Sequence, residues 1–198
     1  LIYTSRVKKL FELHQKITLW ANEYQVLKED QLAAYVKQKV FALREQFTLY
    51  SDRTQSVVLA FSKARNIQDI SPKFDILDSD GKHLATVKKE FKKSLVSSTW
   101  NIYSDAEFKR LAFRISESNT SVAIARRFWN FTPFLNEAPF PIKFHFTIYA
   151  KEKTVGEYRK LTLFRDHYAL YLDESHSKSL DERVWMIFAV LLDAMQSR

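Results

Sequence analysis

The chain of 198 residues contains no cysteine. Disulfides, thiol nucleophiles and thiolate-held zinc are therefore excluded, and the composition fits a cytoplasmic location. Glycine occurs twice and proline four times. So few glycines leave no room for a phosphate-cradling glycine loop or a G-x-S-x-G nucleophile elbow. Most turns must instead be built from Asp, Asn, Ser and Lys. No apolar run approaches the ~18 residues that a membrane-spanning helix needs, and no secretory leader pattern is present. The five histidines, His14, His83, His145, His167 and His176, show neither helical ligand spacing nor a His-x-His pair. No metal site and no cofactor are expected on that basis. His145, inside an aromatic stretch, reads as a packed core residue. Asp166-His167 is half of a catalytic pair without a nucleophile, so an enzyme is not expected.

Hydrophobic residues make up 46 % of the chain and aromatics 15 %, with 16 Phe, 9 Tyr and 4 Trp. Aromatic side chains favour strands and large cores. The longest apolar run is Val184 to Leu192 (VWMIFAVLL), nine residues that are apolar on every side of a helix. Such a helix has to be buried all round. Ser179, with Glu182 three residues on, reads as its capping box. A helix that must bury Trp185, Ile187, Phe188 and Leu191 together predicts a filled barrel, not an empty one.

The sequence also repeats itself. Val36-Lys37 matches Val87-Lys88, Tyr50-Ser51-Asp52 matches Tyr103-Ser104-Asp105, and Leu59-Ala60-Phe61 matches Leu111-Ala112-Phe113, at offsets between 51 and 53 residues. A weaker third copy runs from Phe146 to Leu172, with Tyr158-Arg159-Lys160 standing where Val87-Lys88-Lys89 stood. Alternating or aliphatic runs predict strands at roughly 15–20, 24–28, 32–38, 46–51, 55–63, 73–78, 83–89, 98–103, 107–116, 121–129, 142–150, 154–164 and 167–173. Residues Arg6 to His14 read as either a short helix or a first strand. Asn130 to Pro141 holds three of the four prolines and reads as a connection. The expected architecture is mainly β: one domain over residues 1–198, a closed barrel of about twelve antiparallel strands around a central hydrophobic C-terminal helix.

Asp78-Ser79-Asp80-Gly81 begins like a calcium loop, but position 12 of that pattern is Lys89, a cation where a carboxylate belongs. Asp-Gly between two strands reads as a type I′ hairpin turn.

The segment FDILDSDGKHLATVKKEF at Phe74–Phe91, the following STWNIY at Ser98–Tyr103 and the C-terminal helix resemble the tubby-like superfamily, close to its LURP-one-related and scramblase-like branch and to bacterial single-domain members. The resemblance implies a twelve-stranded barrel around a central helix. It also implies links to phosphoinositide binding, membrane tethering, DNA binding or lipid scrambling. The scramblase-like members carry cysteine-rich and proline-rich segments that this chain lacks.

Formal net charge is +8 and the pI is about 9.5, which favours an acidic partner. Lys88, Lys89, Lys92 and Lys93 fall within six residues. Lys37 and Lys39 are their counterparts in the first copy, and Arg159 and Lys160 in the third. Arg126 and Arg127 form a further pair before Phe128 and Trp129. These residues are the candidate anion- or headgroup-binding set, against the plainer reading of charges that keep strand edges from aggregating. The expected function is a non-enzymatic binding module for anionic phospholipid headgroups, cytoplasmic and peripheral at a membrane. A nucleic-acid or acidic regulatory protein partner is the alternative.

Overall fold

The computed structural model describes residues 7–17, 21–39, 46–65, 71–90, 98–118, 145–162 and 167–196. The strands are β1 (Val7–Ile17), β2 (Ala21–Lys28), β3 (Gln31–Lys39), β4 (Thr48–Tyr50), β5 (Val58–Ala64), β6 (Lys73–Asp78), β7 (His83–Lys89), β8 (Thr99–Tyr103), β9 (Leu111–Glu117), β10 (His145–Ala150), β11 (Lys153–Lys160) and β12 (His167–Asp173). A single helical turn, α1 (Glu174–Ser177), and the long helix α2 (Glu182–Gln196) follow. Each strand pairs with its sequence neighbours, and β1 pairs with β12, so the sheet closes.

The segment 6–14, open to either reading in the sequence, is strand from Val7 onward. Phe11 and Leu13 point inward and are buried, but a register shift between Lys9 and Phe11 breaks the alternation that marks a strand. The expected strand at 121–129 and the Asn130–Pro141 connection lie outside the described residues.

Alternation on the strands is apolar inward and polar outward, as on β6, where Phe74 and Ile76 are fully buried between more exposed neighbours. Eight strands enclose about as much space as side chains alone can fill, and twelve leave a wider bore. Helix α2, ~10–12 Å across with its side chains, occupies that bore. Every residue from Val184 to Leu192 is buried. Along its length the helix packs against the stretch of wall from β8 to β11. Trp185 packs edge-on against Phe113 of β9 at 4.8 Å, Phe188 lies 6.3 Å from Trp100 of β8, and the Tyr158 hydroxyl of β11 donates to the Ala189 carbonyl. At its start the helix is tied to the barrel from two sides. Arg183 donates to the Leu59 carbonyl on β5 at 2.9 Å, and Glu182 pairs with Lys28 at 2.8 Å. The cap is Asp181 and not Ser179: Asp181 Oδ1 accepts from Arg183 N, whereas Ser179 Oγ donates to the His176 carbonyl. The Arg183 guanidinium also holds the Asp181 carboxyl below its usual range.

Strand register turns the sequence repeat into a threefold pattern. Tyr24 pairs with Val36, Phe74 with Val87 and Phe146 with Tyr158, and each hairpin shifts register just past the next inward residue, after Val26, Ile76 and Ile148. The second pair of each unit also matches: Leu49 opposite Ala60, Ile102 opposite Phe113, and Leu170 opposite Phe11. The third unit is therefore completed by β1, the first strand of the chain. Asp52, Asp105 and Asp173 occupy one position, and each accepts from the backbone N–H two residues on, of Thr54, Glu107 and Ser175. In two units this aspartate starts a loop back to the next strand. In the third it starts α1, and the chain turns into the core.

Register also corrects two readings. Leu59-Ala60-Phe61 and Leu111-Ala112-Phe113 are identical in sequence but slipped by one in structure, since Ala60 is equivalent to Phe113. A slip of one exchanges the faces of a strand, so Phe113 is buried while Phe61 is only partly covered. The Asp-Gly turn is not type I′, which needs two successive residues at positive φ. Only Gly81 of that turn takes positive φ, +82°, and Asp78 Oδ1 accepts from the N–H groups of Asp80 and Lys82. Among the described residues, the two-residue turn with both φ positive is Glu29-Asp30, at 48° and 63°, with neither glycine nor asparagine.

Candidate functional site

The barrel wall decides which of the basic residues can act together. The corresponding strands β3, β7 and β11 are four apart in a ring of twelve, hence a third of a turn apart. Lys37, Lys88 and Arg159 hold one equivalent position on the outer face, because Val36, Val87 and Tyr158 beside them point inward. They therefore face away from one another. Lys88 pairs with Glu90 at 3.1 Å, and Arg159 pairs with Glu157 and lies over the Tyr171 ring.

The next residue in each copy behaves differently. Lys89 is opposite Trp100 and Lys160 opposite Tyr168, both rings being buried in the bore. Their ammonium groups lie 5.4 Å and 5.6 Å from those ring centroids. Both lysines therefore sit on the inner side of one barrel mouth, the mouth towards which α2 runs. The first unit has Gln38 at this position. Lys39 is the last residue of β3, at the same end. Lys92, Lys93, Arg126 and Arg127 lie outside the described residues. The strands flanking them, β7 with β8 and β9 with β10, end and begin at that same mouth. The opposite end is mixed in charge, with Glu29, Asp30, Asp80, Glu107 and Glu174 beside Lys28, Lys82, Lys109, Arg110, Lys151 and Lys153.

A separate cluster escapes any reading by sequence spacing. His14 and His167 are register partners across the β1–β12 seam, and their rings lie 3.9 Å apart. Glu12, two residues before His14 and so on the same face of β1, sends Oε2 to His167 Nε2 at 2.8 Å and to His14 Nε2 at 3.3 Å. Lys9 Nζ holds the other oxygen, Oε1, at 2.6 Å. The Lys9 hydrogen bond, aided by those of His167 and His14 and opposed by partial burial, brings the Glu12 carboxyl down to about 2. The three side chains are partly buried, and their ligand atoms lie within 4.8 Å of one another. The sequence expectation of no metal-ligating set rested on helical and His-x-His spacing. Here the ligands come from the two ends of the chain, Glu12 and His167 being 155 residues apart. Only the i, i+2 pair Glu12 and His14 was visible as a shared strand face. Asp166 lies outside the described residues, and His167 engages Glu12. His145 is exposed at the start of β10, not packed, because Phe146 and Ile148 take the inward positions.

A third polar group is architectural. Arg65 grips both oxygens of Asp75 at 2.7 and 2.8 Å, and donates to the Ala106 carbonyl while lying over the Phe108 ring. Thr86, cross-strand from Asp75, donates to the same carboxylate. Burial pushes the Asp75 carboxyl up, but Arg65 and Thr86 outweigh it and hold it below its usual range. The group fastens the loop at 104–110 over the outer face of β6 and β7.

Among the described residues no helix is long and apolar enough to cross a membrane. No curated protein and no solved structure matches the chain at the significance required of a relative. A family model described as LURP-one-related matches residues 32–193, from the start of β3 into the last turn of α2. That span takes in ten of the barrel strands and the helix that fills it. The chain belongs to the LURP-one-related family, within the tubby-like superfamily.

Proposed function

We propose that this protein is a non-enzymatic binding module that docks by one barrel mouth onto an anionic phospholipid surface. The carrying observation is the recurrence of Lys89 and Lys160 at equivalent positions of two units, both on the inner rim of that mouth and both over aromatic rings. Their ammonium groups lie over buried aromatic rings at the edge of the bore, a cation–π arrangement that sets positive charge at the rim. Support also comes from the net charge of +8, which favours a negative surface. The bore itself is filled by α2, so recognition belongs to the rim of that mouth. On this reading the protein is cytoplasmic and peripheral.

The test is co-sedimentation with phosphoinositide-containing and with neutral vesicles at low and high salt. Each basic residue near an anionic membrane is worth about 1 kcal/mol. Losing two should weaken binding roughly thirtyfold, at ~1.4 kcal/mol per decade. Lys89→Glu/Lys160→Glu should therefore lose vesicle binding, while Lys88→Glu/Arg159→Glu, on the outer wall, should retain most of it. Equal losses in the two variants, or no binding by wild type at low salt, contradict the rim assignment. Binding to DNA with a steep salt slope and none to vesicles moves the function to nucleic acid.

A further inference from the structure

We propose that Glu12, His14 and His167 form a binding site for a divalent first-row transition ion of the zinc type, built across the seam where the first strand of the barrel meets the last. Two imidazoles and one carboxylate are a donor set that such ions favour, and three protein ligands leave a further position open to water or a partner group. The spacing suits the ion. Ligand bonds of ~2.0–2.1 Å in a tetrahedron set neighbouring donor atoms about 3.3 Å apart. His14 Nε2 and Glu12 Oε2 already stand at 3.3 Å, and His167 Nε2 at 2.8 Å needs to back away by about half an ångström. The partly exposed His14 ring gives an ion a way in from solvent. Lys9, on Oε1, keeps the carboxylate ionised and turns Oε2 towards the imidazoles, the orienting role that outer partners play in metal sites. A carboxylate only accepts, so each imidazole now presents an N–H at Nε2. Ligation moves that ring proton to Nδ1.

The barrel's own threefold pattern argues that the cluster is not needed for folding. The positions equivalent to Glu12, His14 and His167 are Phe61, Lys63 and Gln46 in the first unit, and Arg114, Ser116 and Thr99 in the second. Two units pair the same strands without any ligating group there. The third alone places all three donors together, at the one seam that joins the two ends of the chain. An ion held there ties β1 to β12 and stabilises the closed barrel by mass action.

The test uses the whole chain, freed of metal by a chelator, with zinc chloride and cobalt chloride as probes. Titration calorimetry should show one zinc per chain, zinc should raise the melting temperature, and cobalt should give the intense visible absorption of a low-symmetry, four- or five-coordinate nitrogen–oxygen site. His14→Ala and Glu12→Gln should each weaken zinc binding roughly a hundredfold or more, beyond the 10- to 100-fold typical of losing an outer partner, and should abolish the cobalt spectrum. His176→Ala, at the far end of the barrel, should change neither. Circular dichroism checks that each variant is folded. His14→Ala carries the test if the half-buried His167 cannot be replaced. Absence of saturable zinc binding overturns the proposal, and so does unchanged affinity in folded His14→Ala and Glu12→Gln.

Discussion

Trp185→Ala and Phe188→Ala should each destabilise the protein by about 3–5 kcal/mol, the range for truncating a fully buried large aromatic. Both side chains have no exposure, and they touch each other as well as two adjacent strands of the wall, Trp185 against Phe113 of β9 and Phe188 against Trp100 of β8. The wall cannot collapse onto the void, because the sheet is closed and strand spacing is fixed by hydrogen bonds. With a total stability of ~5–15 kcal/mol for a typical domain, either substitution removes a large share. The double variant should not melt cooperatively. Urea unfolding followed by circular dichroism measures the loss. A cost below about 1 kcal/mol for either single variant would mean that the helix does not fill the bore. Trp185 Nε1 finds no acceptor among the described residues, so part of the indole's packing energy is offset. Trp185→Phe should cost less than Trp185→Ala.

Gly156→Ala should destabilise the protein by about 1–3 kcal/mol, an overpacking cost. The repeat argues the opposite. Gly156 is opposite Ile148, just as Ala34 is opposite Val26 and Ala85 opposite Ile76. Two of the three units carry alanine at this buried position, and a tolerated Gly→Ala change typically stabilises by about 0.4–1 kcal/mol through the unfolded chain. In the third unit β12 lies too close. An added Cβ would stand 2.3 Å from the Tyr171 carbonyl oxygen and 2.8 Å from a Leu172 methyl. The oxygen belongs to the backbone of the seam-forming strand and cannot swing aside. Thermal denaturation decides the sign: a melting temperature below wild type is expected, and a rise would contradict the close approach of β12 to Gly156.

The fold was legible where side-chain chemistry alone dictates it. Nine apolar residues in a row force total burial, and aromatic or aliphatic alternation at residues such as Phe74 and Ile76 marks strands whatever their neighbours. The readings that failed depend on register or on partners distant in sequence. β1 was ambiguous because the bulge at Lys9–Phe11 interrupts its period. Leu59-Ala60-Phe61 looked like Leu111-Ala112-Phe113 because identity in sequence says nothing of a one-residue slip. Ser179 lost the cap to Asp181 because Asp181 stands next to the helix and receives Arg183, a geometry that spacing to Glu182 does not fix.

The candidate sites were less legible for the same reason. Lys88 and Lys89 are adjacent letters, but a strand sends one outward to Glu90 and the other inward over Trp100. A basic cluster in sequence is therefore divided by the wall it lies in. The grouping of Glu12 and His14 with His167 exists only because the barrel closes, and closure has no local signature.

Native-state hydrogen exchange gives the most direct test that a closed barrel is held around its own C-terminal helix. Opening that helix to solvent requires opening the barrel. The amides of Val184–Leu192 should exchange only through global unfolding, with the same free energy as the slowest amides of β1 and β12. Exchange of the helix through a cheaper local opening, with the strands still protected, would contradict the account.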